Sequence, residues 1–147
     1  MIAKPRNSDR RCEAPEGGAI MEMESRTRMR VLLVDDYADS AISMGRLLRA
    51  LGYDVRVAFD GLDAVRCAAE FRPDAAFVDL SLPLLDGFGV AEQIRSARET
   101  RGVRLIAMTG WTTDEALERA RAAGFDQHLV KPLSVDSLTG ALAAART

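Results

Sequence analysis

The chain has 147 residues, 48% of them apolar, with acidic and basic side chains nearly balanced at a net charge of -2. That length suits one sizeable core and is short for two ordinary domains, and without a basic surplus recognition of nucleic acid through its phosphates is disfavoured. The longest apolar runs are strand-sized and the N-terminus alternates charges, which argues against a secretory leader or a membrane span and for a cytoplasmic protein with no membrane partner.

Residues 1–28 mix Pro5, Pro15, Gly17, Gly18 and many charges with almost no large aliphatic side chains. Such a segment cannot offset its ordering entropy and reads as a disordered tail. Met21, Met23 and Met29 leave open a later translation start. Cys12 and Cys67 show neither a CxxC spacing nor a nearby histidine cluster, so they read as two reduced thiols, with Cys67 a small packing residue on the second helix.

From residue 29 onward, strand-like runs alternate with segments of helical period. VLLVD (Val31 to Asp35) is followed by a helix whose apolar face is Met44, Leu47, Leu48 and Leu51, closed by Gly52. DVRVAF (Asp54 to Phe59) precedes a second helix starting with Leu62, Val65 and Ala69 and ending before Pro73. DAAFVD (Asp74 to Asp79) leads to a third, marked by Phe88, Ala91 and Ile94. VRLIAMT (Val103 to Thr109) leads to a fourth, with a capping box from Thr112 and Glu115 and a stop at Gly124. DQHLV (Asp126 to Val130) leads to a fifth, capped by Ser134, with Val135, Leu138 and Leu142 on its buried face. The first, third and fourth strand runs are nearly continuous in apolar residues, as in a parallel sheet covered on both faces. The expected fold is a doubly wound α/β domain with five parallel strands and five helices, spanning residues 29–147.

In that architecture ligands bind beyond the carboxyl ends of the strands. Asp35 and Asp36 end the first strand, Asp79 the third, and Thr109 with Gly110 the fourth, while Lys131 follows the fifth. Any one of them has an ordinary explanation as a turn or cap residue; their convergence on one rim is informative. Two carboxylates about 4 Å apart repel by roughly 4 kcal/mol at an effective dielectric of about 20. One lysine offsets a single charge, so the remainder suits a small divalent cation, and an all-oxygen donor set suits Mg²⁺ better than zinc. Cation, lysine, hydroxyl and the Gly110 N–H together form a donor set for phosphoryl oxygens, with Asp79 placed as the nucleophile.

VLLVDD, FVDLSLPLLDG, MTG and LVKP, in this order and spacing, resemble the receiver domain of two-component response regulators, and AGFDQHLVKPLSVDSL is similar to receivers of hybrid histidine kinases. The resemblance implies a flavodoxin-like strand order 2-1-3-4-5. It also implies that Asp79 accepts a phosphoryl group from the phosphohistidine of a histidine kinase or phosphotransfer protein. Asp35, Asp36, Asp79 and the main-chain carbonyl of Ser81 would then hold Mg²⁺, Thr109 and Lys131 would bind the phosphoryl group, and the Lys131–Pro132 peptide would be cis. The face of the fourth helix, fifth strand and fifth helix would switch, toward a downstream target or a homodimer.

Three positions modify that picture. His128 stands three residues before the lysine, where most of the family has a Phe or Tyr switch residue; it reads either as a flat ring that swings toward Thr109 or as a plain strand residue. Ser81 and Trp111 occupy the two positions that tune dephosphorylation in receivers. No effector domain is expected, since the chain ends seven residues after Gly140. The rival readings are a Mg²⁺-dependent phosphatase, for which Ser81 stands where a second acid is wanted, and a phosphate-independent interaction module. A nucleotide or flavin binder is weaker still, because DDYADS contains no glycine to cradle a phosphate.

Overall fold

In the computed structural model, which describes residues 28–110 and 113–145, strands and helices alternate along the chain. They are β1 (Arg30–Val34), α1 (Ala38–Ala50), β2 (Asp54–Ala58), α2 (Gly61–Phe71), β3 (Ala75–Asp79), α3 (Gly87–Ser96), β4 (Arg104–Thr109), α4 (Asp114–Ala123), β5 (Gln127–Val130) and α5 (Val135–Ala145). The strands form one parallel sheet in the order β2-β1-β3-β4-β5, as expected. β3 sits in the middle with all five residues buried. The tail over residues 1–27 lies outside the described residues, as do Trp111 and Thr112.

Alternate strand residues feed two cores. Leu32, Val34, Ala76 and Val78 face one side, where α2, α3 and α4 contribute Ala68, Phe88, Ile94 and Ala120. Val31, Leu33 and Phe77 face the other, against Leu48 of α1 and Leu138 and Leu142 of α5. Continuous apolar strand runs are what two covered faces demand.

Several helix faces differ from the periodicity reading. On α1 the buried residues are Ala41, Gly45 and Leu48, whereas Leu47 and Leu51 are exposed. Gly45 explains the rotation: a Cβ there would lie 3.1 Å from Val57 Cγ2, so the helix lies close against β2 along its small residues. Small side chains carry little hydropathy, and the pattern of large ones pointed to the flank. Leu62 and Val135 are likewise exposed, while α2 buries Ala64, Cys67, Ala68 and Phe71. Phe88, Ala91, Ile94, Leu138 and Leu142 are buried as expected.

The cap of α4 is Thr113, whose hydroxyl accepts the Ala116 N–H, one residue beyond the expected Thr112. Gly52 and Gly124 have positive φ and end α1 and α4, and Ser134 accepts the Ser137 N–H at the start of α5. Cys67 is disulfide-bonded instead of a free thiol. Cys12 lies outside the described residues.

At the amino ends of the strands, charged side chains close the backbone. Asp74 accepts the Arg30 N–H at 2.8 Å. Arg95, at the end of α3, donates to the carbonyls of Arg101, Val103 and Gly124 and pairs with Asp126 at 2.8 Å, which also accepts the Leu105 N–H. One guanidinium thus ties α3, the start of β4 and the loop before β5 together.

Candidate functional site

The parallel sheet sends all carboxyl ends to one rim, and the strand-end acids gather there. Asp35, just past β1, is held by its own loop: its Oδ1 accepts the Tyr37 N–H at 3.0 Å, while its N–H donates to the Ala58 carbonyl. Asp79 is the last residue of β3, paired in register with Met108 of β4, and its Oδ1 accepts the Ser81 N–H at 2.9 Å. Asp36 is exposed, Asp35 and Asp79 are buried, and carboxylate oxygens of the three lie within 4.8 Å of one another.

Lys131 enters this group from the far side of the sheet. The Lys131–Pro132 peptide is cis, and the Lys131 N–H donates to the Thr109 carbonyl at 2.8 Å. Its Nζ then lies 2.7 Å from Asp79 Oδ2 and 3.4 Å from Asp35 Oδ2. Burial pushes the Asp35 carboxyl above its ordinary range, and neither the Tyr37 N–H nor the Lys131 charge fully offsets it. For Lys131 burial acts downward, but the hydrogen bond and charge of Asp79, with those of Asp35, outweigh it and leave the ammonium raised.

The loop that follows β3 is packed from below. Gly87 opens α3 with its N–H on the Leu80 carbonyl, and a Cβ there would meet the Asp79 carbonyl and lie 2.6 Å from Leu80 Cα. Only glycine fits. The Gly61 N–H reaches the Pro83 carbonyl from the neighbouring loop. Leu84, between them, is exposed and has φ 69°, a left-handed conformation that costs a leucine about 1–2 kcal/mol. Gly87 was present in the quoted FVDLSLPLLDG, yet its contact role required the helix position; nothing in the sequence marked Leu84.

Thr109 is buried at the end of β4 and Gly110 is exposed beside it. Ser81 reaches the site through its N–H. His128 is exposed on β5, opposite Ala107 in register. Trp111 lies outside the described residues. Asp35, Asp36, Asp79, Thr109 and Lys131 therefore share one rim with Ser81 and Gly110, three carboxylates beside one lysine among the described residues.

That donor set fits a hard divalent cation: the ligand atoms are oxygens, they converge, and the cluster keeps an uncompensated negative charge. A cation in place would be the largest local charge.

Comparison with known proteins gives a consistent result. The family model described as the response regulator receiver domain matches residues 31–143. The transcriptional regulatory protein PrrA of Mycobacterium bovis is 36% identical over 80% of this chain and 50% of its own length. Protein PilG of Pseudomonas aeruginosa is 34% identical over 84% of this chain and 91% of its own. The chain spans about half the length of the first of these relatives. Among solved structures, the chemotaxis protein CheY4 of Vibrio cholerae superposes with a TM-score of 0.77 at 27% identity, covering 81% of this chain and 99% of that one. The receiver domain of a sensor histidine kinase from Pseudomonas aeruginosa, with a magnesium ion coordinated in its active-site cleft, gives 0.75 at 32% identity, covering 82% and 100%. Among the described residues no helix is long and apolar enough to cross a membrane.

Proposed function

Because the chain belongs to the response regulator receiver domain family of two-component signalling, we propose that it takes a phosphoryl group from a phosphohistidine onto Asp79 in a Mg²⁺-dependent reaction. The observation that carries this reading is the contact of Lys131 Nζ with Asp79 Oδ2 at 2.7 Å inside a cluster of three carboxylates. An Asp79 oxygen attacks phosphorus, the P–N bond to the donor imidazole breaks, and its electron pair stays on the imidazole nitrogen, which takes up a proton from water. Asp35, Asp36, Asp79 and the Ser81 carbonyl would hold the ion, which when bound neutralises charge developing on the phosphoryl oxygens. Lys131 leaves Asp79 Oδ2 to pair with the phosphoryl group, while the Thr109 hydroxyl and the Gly110 N–H donate to its oxygens. The donor would be a histidine kinase or a histidine phosphotransfer protein.

The transferred group brings about -1.5 to -2 charges and three acceptor oxygens to the rim. Drawing Thr109 inward would bias α4, β5 and α5, with His128 as the ring that follows, and offer that face to a target or a second copy. One charge-assisted bond supplies about 1.5 to 3 kcal/mol, whereas a shift from 1:99 to 99:1 needs about 5.5 kcal/mol. Phosphorylation alone therefore shifts the face partly, and its partner completes the change. Ser81 and Trp111 would set the lifetime of the acyl phosphate. The receiver unit is assigned to residues 29–147, with residues 1–28 outside it.

Intact mass after incubation with acetyl phosphate tests the reading. A single phosphoryl adduct is expected that disappears in Asp79→Asn and without Mg²⁺. An adduct surviving in Asp79→Asn would place the chemistry elsewhere, and absence of any adduct would favour a phosphate-independent module.

A further inference from the structure

Two arginines share one aromatic ring toward the amino ends of the strands. Arg56 of β2 has its Cζ 4.9 Å from the centroid of the Phe71 ring, and Arg30 of β1 has its Cζ 5.7 Å from it. Arg72 follows Phe71 directly, exposed and left-handed with φ 50° at the end of α2. Arg30 donates to the Phe71 carbonyl at 3.1 Å. None of the three makes an ion pair among the described residues, although Asp54, Glu70 and Asp74 are close along the chain. The Arg56 Nε is moreover buried without an acceptor among those residues. Buried donors are nearly always paired, and a guanidinium keeps its charge. A cationic cluster laid on an aromatic face, with a buried donor still to be met, suits an anionic occupant.

Charge and connectivity identify that occupant within the chain. Residues 13–25, EAPEGGAIMEMES, hold Glu13, Glu16, Glu22 and Glu24 and no basic side chain. The run stops just short of Arg28, where the described chain begins, two residues from Arg30. An anionic segment joined by so short a connection meets the cluster at an effective concentration on the order of millimolar. At its other end the run follows Cys12. Cys67 stands one helical turn before Phe71, on the same buried face of α2. It is disulfide-bonded, and Cys12 is the one other cysteine in the sequence.

We propose that residues 13–24 of this chain dock on the arginine cluster around Phe71, between a Cys12–Cys67 disulfide at one end and the start of β1 at the other. The glutamates supply the opposite charge that Arg30, Arg56 and Arg72 do not find among the described residues. The surface lies away from the carboxyl-end rim that gathers Asp79 and operates without phosphoryl chemistry.

Redox equilibration of the full chain with reduced and oxidised glutathione, without Mg²⁺ or phosphoryl donor, tests this. Peptide mapping of the oxidised chain is expected to find Cys12 joined to Cys67 within one molecule. Dithiothreitol opens the bond, its two thiols closing to a cyclic disulfide while Cys12 and Cys67 each gain a hydrogen. The glutathione ratio at half-reduction reads the effective concentration of Cys12 at Cys67. Glu13→Gln, Glu16→Gln, Glu22→Gln and Glu24→Gln together lie outside the folded unit and should lower that value by about tenfold or more. Arg56→Gln with Arg72→Gln should do the same, circular dichroism confirming the fold, and joining both sets should add little. Added salt should lower the parent's value and leave that of the glutamate variant unchanged. Mixed glutathione disulfides in place of the internal bond, or a Cys67 bond found between two chains, overturn the proposal. So does an effective concentration indifferent to the glutamates, or a joint loss as large as the two separate losses multiplied. The outcome is independent of whether Asp79 is phosphorylated.

Discussion

The two ends of the sheet use the same kinds of charged residue to opposite effect. At the amino ends, Asp74, Arg95 and Asp126 each close a backbone group or an opposite charge, and acids and bases alternate. At the carboxyl ends, Asp35, Asp36 and Asp79 crowd together with Lys131 as their one basic partner among the described residues. Satisfied, alternating charge stabilises a fold. Uncompensated like charge that the fold tolerates marks the place where a ligand is expected to finish the structure.

Mutation and metal titration can break that contrast. The largest effect is expected for Arg95→Ala, which removes its contacts with three carbonyls and Asp126. Loss of these charge-assisted bonds should lower stability by about 2–3 kcal/mol in urea unfolding, with the response to Mg²⁺ unchanged; a loss of metal binding would show that the two ends are coupled. Next comes Mg²⁺ itself, which at about a hundred times its Kd should raise the stability of the parent chain by about 2.7 kcal/mol. That gain should vanish in Asp36→Ala, and an equal gain there would remove the cluster as the binding site.

Smaller and opposite in sign is Asp35→Asn. Burial raises the Asp35 carboxyl, so its charged form opposes folding above that raised value and the penalty fades as pH falls toward 3.8. The variant should therefore unfold at higher denaturant than the parent at neutral pH without metal, lose this advantage in acid, and no longer respond to Mg²⁺. A variant less stable than the parent at neutral pH would show that the Lys131 contact outweighs burial. The smallest change is alkaline. The raised Lys131 contributes stability that is fully present below 10.5 and lost as pH rises through its folded value; Lys131→Met should flatten that limb, and an unchanged limb would assign it to other groups.

The sequence made the fold and the site legible for different reasons. Two covered sheet faces write themselves as long apolar runs, so β1, β3 and β4 were plain, and the strand-end rule then placed Asp35, Asp36, Asp79, Thr109 and Lys131 on one rim. Contacts between small residues were not legible, because Gly45 and Ala41 carry too little hydropathy to reveal that α1 faces β2 through them. The Arg95 network reaches Gly124, 29 positions away, through a backbone carbonyl, which any sequence possesses and no motif marks, and Asp126, 31 positions away, through a single carboxylate. Leu84 and the shift of the α4 cap to Thr113 depend on loop geometry, which composition does not fix.

Asp79 closes the last rung of the central strand, which pairs with β1 up to Val78 on one flank and with β4 up to Asp79 itself on the other. Its Cα is therefore fixed by the backbone ladder of a fully buried strand, an anvil and not a lever. Under the proposed reaction, the incoming group would have to be brought to a fixed point along a fixed direction, and any rearrangement that follows would fall to the loops around it.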